Sequence, residues 1–124
     1  MNNGDIMSDA DFEKRVRFGN LFDIYGSLLT EKQQHMMEQY FYEDYSLGEI
    51  AEENSISRQA VYDLLKRVEA TLEKYEDKLH FLQKSEDQNF KIRAALKLLK
   101  TIDVTEPRVR EVTRILQTLE NGSR

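Results

Sequence analysis

The chain has 124 residues, enough for one domain with a short appendage, with 40% hydrophobic and 33% charged residues and a mean hydropathy of -0.68. No apolar run reaches the roughly 18 residues that span a bilayer, and Met1–Ile6 has no basic segment leading into an apolar stretch, as a secretory signal would. With no cysteine, disulfides and thiolate zinc sites are excluded, so a cytoplasmic protein without membrane contact is expected.

The net charge of -5 counts mildly against nucleic acid, which is held largely by Lys and Arg at phosphates. It hides an asymmetry. Residues 88–124 carry 8 Lys/Arg against 4 Asp/Glu, and residues 1–87 carry 10 against 19. A basic C-terminal part on an acidic body suits a partner of either sign, or the two parts gripping each other.

One proline and five glycines leave little punctuation for β-turns and favour helices joined by short loops. In chain order, residues 1–8 read as a flexible tail. A first helix is predicted from about Asp9 to Leu29, with Phe12, Val16, Leu21, Phe22, Tyr25, Leu28 and Leu29 at helical spacing. Thr30 and Gln33 form a capping box that opens a second helix to about Glu43, burying Met36, Met37, Tyr40 and Phe41. Ser46 and Glu49 form another, opening a short helix through Glu53. Asn54–Ile56 makes a tight turn, and Ser57 caps a fourth helix with no breaker until past Lys84.

On that helix Val61, Leu65, Val68, Leu72, Tyr75, Leu79 and Leu82 keep strict heptad spacing. Its length of roughly 40 Å at 1.5 Å per residue carries the far end beyond a compact three-helix core. The distal half must therefore pack on the first helix, on the C-terminal helices or on a second copy. A homodimer is expected, with Leu72, Tyr75, Leu79 and Leu82 in its interface. A fifth helix follows Ser85–Asp87 to about Thr101, with Ile92, Ala95, Leu96, Leu99 and Ile102 as its stripe. Thr105 and Pro107 signal a sixth, which buries Val109, Val112, Leu116 and Leu119 and ends at Asn121–Gly122.

Catalysis finds no footing. His35 and His80 are scattered, where a zinc site wants three or four converging ligands. No glycine-rich phosphate loop and no nucleophile in a recognisable context exist. An enzyme is not expected, nor any cofactor or metal.

Residues 47–66 lie well on a helix-turn-helix. Leu47, Ile50 and Ala51 face inward, Ala51 being small where the two helices cross; Ile56 plugs the turn, and Val61 and Leu64 anchor the second helix. Ser57, Arg58, Gln59, Tyr62 and Asp63 then open the helix that enters the major groove in this motif, with Lys66 and Arg67 one turn on. Arg suits guanine and Gln suits adenine through bidentate forks, while Lys66 and Arg67 suit phosphates. Asp63 on that face, with Glu52 and Glu53 nearby, repels phosphates.

The runs Leu29–Gln33, Tyr45–Glu53 and Ile56–Val61 resemble region four of bacterial sigma factors. With Asp44, Tyr62-Asp63, Lys66-Arg67, Leu72-Glu73, Tyr75-Glu76 and Lys78–His80, residues 18–82 are more similar still to the YlxM family. That resemblance implies a helix-turn-helix regulator binding DNA, with components of the signal recognition particle as further partners. The alternative is a protein–protein interaction module of the targeting machinery that reads no DNA. Ser55 stands where such turns place Gly, and Asn54 where they place an apolar residue. Asn tolerates a left-handed backbone better than Ser, so a turn shifted by one residue, re-aiming Arg58 and Gln59, stays open.

The expected architecture is an all-α helical bundle. A sigma-region-four-like helix-turn-helix domain with a long recognition helix occupies residues 9–84, its motif about 46–67, and a C-terminal helical pair occupies 85–124.

Overall fold

The structure is a computed structural model that describes residues 9–103 and 105–122. The expected tail at 1–8 and the last two residues lie outside them. Among the described residues there are six α-helices and no strand: α1 Asp9–Tyr25, α2 Glu31–Phe41, α3 Leu47–Glu53, α4 Arg58–Leu79, α5 Phe81–Leu99 and α6 Pro107–Gly122. The fold is all-α. The chain divides at Leu79–His80 into two compact units. No described helix is long and apolar enough to cross a membrane.

In the first unit α1 ends four residues earlier than its hydrophobic spacing suggests. Tyr25 leads into a single 3-10 turn, Gly26–Leu28, and an extended Leu29 delivers the chain to the Thr30 cap. A Cβ at Gly26 would lie 2.8 Å from the Phe22 ring, so glycine lets the turn close on that ring. Phe12, Val16 and Leu28, expected in the core, are exposed; Phe18, Leu21, Phe22 and Tyr25 are buried. Phe41 sets its edge against the Phe18 ring (centroids 5.0 Å apart) and stacks on Phe22 at 5.9 Å. Both capping boxes form, at Thr30–Gln33 and Ser46–Glu49, each satisfying two backbone amides reciprocally.

The distal half of α4 is covered by α1. Arg17 donates to both carboxylate oxygens of Glu73 at 2.8 Å, and the buried Tyr25 hydroxyl donates to Glu76 at 2.7 Å. Tyr75 packs its ring 5.9 Å from that of Tyr25. Leu72, one turn earlier on the same face, is wholly buried. The seam expected to wait for a second copy is thus largely filled within the chain.

Nor does α4 continue to Lys84 as expected; it ends at Leu79. His80 adopts left-handed backbone (φ 57°, ψ 28°), and the Lys84 amide bonds back to the His80 carbonyl as α5 begins. Histidine visits that region several-fold more readily than most non-glycine residues, which lets the break occur without Gly or Pro. Leu82 therefore belongs to α5, where it is buried, and Leu79 is left 39% exposed at the end of α4.

The second unit is a hairpin of α5 and α6. Its N-terminal cap is not the Thr105 hydroxyl, which donates to Asp103 at 2.6 Å. The Glu106 carboxylate instead accepts from the Arg108 and Val109 amides at 3.1 and 3.2 Å, with Pro107 as the first helical residue. Only one flank of α6 faces α5. Val109, Thr113 and Leu116 are half-buried there, while Val112 and Leu119, both expected in the core, are exposed.

Candidate nucleic-acid interface

Helices α3 and α4 form the helix-turn-helix, and Ile50, Ala51, Val61, Leu65 and Val68 supply its buried core. The turn keeps its ordinary register. Ser55 is the left-handed residue (φ 56°), and Asn54 has φ -102°. The Ile56 amide donates to the Ala51 carbonyl at 3.0 Å, and the Ser55 amide to Glu52 at 3.3 Å. This paired closure is a Schellman motif, which ties up carbonyls the helix end would otherwise leave open.

Asn54 then has a reason to be polar. Its side-chain amide donates to the Ile50 carbonyl at 2.7 Å and to the Gln39 side chain at 2.8 Å. Gln39 is 4% exposed on α2, and its own carbonyl accepts from the Tyr45 amide at 3.0 Å. This amide pair fastens the turn to the preceding helix. Sequence reasoning missed Gln39, because its only signal was a glutamine on an otherwise apolar helix face.

Ser57 caps α4 as expected, accepting from the Ala60 amide at 3.0 Å. Arg58, Gln59, Tyr62, Lys66 and Arg67 are all exposed, so the five follow one another on the open side of the helix. Arg58 does not extend freely, however. A Cβ on Gly48 would lie 2.8 Å from its Nη2, so the guanidinium lies flat across the start of α3, in room that only glycine leaves. Gln59 donates to Asp63 at 2.9 Å, and Lys66 sits 5.6 Å above the Tyr62 ring and 3.9 Å from Glu69. The acid at position 63 thereby holds Gln59 along the helix.

The face is not uniformly positive. Tyr45, Glu49, Glu52 and Glu53 surround a cavity of about 380 Å³ beside it. The Glu43 and Glu53 carboxylates, then partial burial and Glu49, push the Tyr45 phenol above its ordinary pKa. The Ser46 amide and hydroxyl hold Glu49 below the usual carboxylate range, so it stays ionised. Arg58, lying across Gly48, thus shares α3 with this acidic group.

The residues expected at an oligomer interface are not brought together on a free surface. Leu72 and Leu82 are buried, Tyr75 is half-buried against Tyr25, and Leu79 is exposed. His35 and His80 are exposed, and among the described residues no three His, Asp or Glu side chains converge as metal ligands would.

Residues 12–117 match the model of the family UPF0122, described as "Putative helix-turn-helix protein, YlxM / p13 like". A UPF0122 protein of Bacillus thuringiensis is 48% identical over 108 residues, covering 87% of this chain and 96% of that one. One from Oceanobacillus iheyensis is 55% identical over 89 residues, covering 72% and 84%. The match runs beyond residue 82 into the C-terminal hairpin, where the sequence showed no motif. The chain belongs to the UPF0122 family of YlxM-like helix-turn-helix proteins.

Proposed function

We propose that this protein is a cytoplasmic regulator that binds duplex DNA through the first three turns of α4. The observation that carries the reading is the exposed succession Arg58, Gln59, Tyr62, Lys66 and Arg67 on the second helix of a correctly closed helix-turn-helix. Arg58 and Gln59 supply the bidentate donors that discriminate bases, and Lys66 and Arg67 the phosphate contacts. Selection from a random duplex library, followed by competition, tests it. Arg58→Ala with Gln59→Ala removes the sequence preference and leaves the helical signal intact. An unchanged preference rejects the reading.

The acidic wall of Glu49, Glu52 and Glu53 favours a second reading: a protein-contact module of the targeting machinery, working with signal recognition particle components. Charge removal separates the two: Glu49→Gln with Glu52→Gln and Glu53→Gln weakens the protein contact and, by lifting like-charge repulsion, strengthens DNA binding. We further propose a homodimer. Because Leu72 and Leu82 are buried, the second copy would cover Leu98, Val112, Ile115 and Leu119, which are 45–70% exposed. Four large apolar side chains on two antiparallel helices match half of a four-helix bundle. A monomer in sedimentation at tens of micromolar rejects the dimer.

A further inference from the structure

The α5–α6 hairpin has two unlike sides. Opposite the apolar flank, an open groove of about 620 Å³ runs between the helices. Arg93 and Lys97 of α5, Lys100 at its C-terminal cap, and Arg110 and Arg114 of α6 line it, over a floor that includes Leu96 and Leu99. Against these five cations stands a single lining carboxylate, Glu120. Arg114 is engaged by Glu111 at 2.6 Å. Among the described residues, no carboxylate comes within ion-pair distance of Arg93, Lys97, Lys100 or Arg110.

This arrangement works against the hairpin's own stability. Arg93 and Lys97 are four residues apart, as are Arg110 and Arg114, and like charges at that spacing destabilise a helix. The two rows also face each other across one groove. Polyanions offset such repulsion, whereas a small anion meets only two or three of these side chains. From position 93 to 100 the chain rises about 10 Å, long enough to follow a run of phosphates along one strand and not a single one.

We propose that this groove is a nucleic-acid backbone site, binding the phosphodiester chain of duplex DNA or of structured RNA without regard to base sequence. It is separate from the reading face on α4 and stands whether or not that face reads DNA. It also accounts for the charge asymmetry, because the basic excess of the C-terminal residues is gathered mainly on this side of one hairpin.

The test uses the full chain and two fluorescent probes, a random-sequence DNA duplex and an RNA hairpin of about 20 base pairs each, titrated from roughly 50 to 200 mM salt. The parent binds at least one probe, and the stronger of the two identifies the source of the backbone. Lys97→Gln and Lys100→Gln each lower the slope of log affinity against log salt by about 1. The fourfold change of Arg93, Lys97, Lys100 and Arg110 to Gln lowers it by roughly 3–4 on the duplex. Lys97→Arg with Lys100→Arg keeps the parental slope, which separates charge from packing. Arg58→Ala with Gln59→Ala keeps the groove's share of binding. Failure of the parent to bind either probe at the lowest salt overturns the proposal. So does an unchanged slope in the single Gln variants, or loss of all binding in the Arg58/Gln59 variant.

Discussion

Replacing Ser55 by Gly should stabilise this protein, and replacing Asn54 by Gly should do the opposite. Ser55 sits at φ 56°, where its Cβ crowds the following carbonyl. For an L-residue that conformation costs roughly 1–2 kcal/mol. Glycine escapes the clash but loses about 0.5–1 kcal/mol more backbone entropy on folding. The difference leaves a net gain of about 0.5–1 kcal/mol, a rise in Tm of roughly 2–5 °C for a chain of this size. Asn54 is at φ -102°, with no left-handed strain to relieve, and its amide makes two hydrogen bonds. Removing that side chain leaves the buried Gln39 oxygen without its donor, a loss of about 1–3 kcal/mol, to which glycine's entropy adds. Thermal melts followed by helical circular dichroism read both changes. A stabilised Asn54→Gly with a destabilised Ser55→Gly would refute the turn register, and with it the placement of Arg58 and Gln59.

Leu72→Ala should cost about 2–5 kcal/mol, the range for emptying a fully buried leucine site; Leu79→Ala, at a position 39% exposed, should cost clearly less. Equal losses in chemical denaturation would mean that α1 does not cover the seam of α4. The helix-capping carboxylates give a pH signature. Serine hydrogen bonds lower the pKa of Glu49, and bonds from Arg108 and then the first amides of α6 lower that of Glu106. A carboxyl with a depressed folded pKa contributes stability above its unfolded value, near 4.5, and loses it as pH falls through the folded value. Glu49→Gln and Glu106→Gln should therefore melt below the parent at pH 7, and the gap should close as pH falls below 4.5 and through the depressed folded values. A gap that persists at low pH would show that packing, not the ionised cap, sets the difference.

The local signals were read most accurately. Thr30–Gln33 and Ser46–Glu49 are capping boxes in the sequence and in the fold, because the hydrogen bonds that make them span only three residues. Ile50, Ala51 and Val61 were legible as the crossing of two helices because a turn of fixed length dictates which faces meet. The second anchor on α4, however, is the buried Leu65 and not the half-buried Leu64 expected there. The exposed residues of α4 followed from the same geometry. The Schellman closure at Ser55 was not legible, since the residue usually required there is absent and the hydrogen bonds that hold it run to Ala51 and Glu52.

What the heptad seam packs against was a different matter. Periodicity says that one face of α4 must be covered, and three partners were compatible with it. The tertiary structure chose α1, through Arg17–Glu73 and Tyr25–Glu76, contacts between residues more than fifty positions apart. The same holds for Gln39 and Asn54, two unremarkable amides until α2 and the turn come together. His80 breaks a helix that composition would continue, and Glu106 rather than Thr105 caps α6. Spacing along a chain specifies which side chains need cover and which amides need partners. Only the packed fold specifies who supplies them, because burial depends on surfaces that arrive from elsewhere in the sequence.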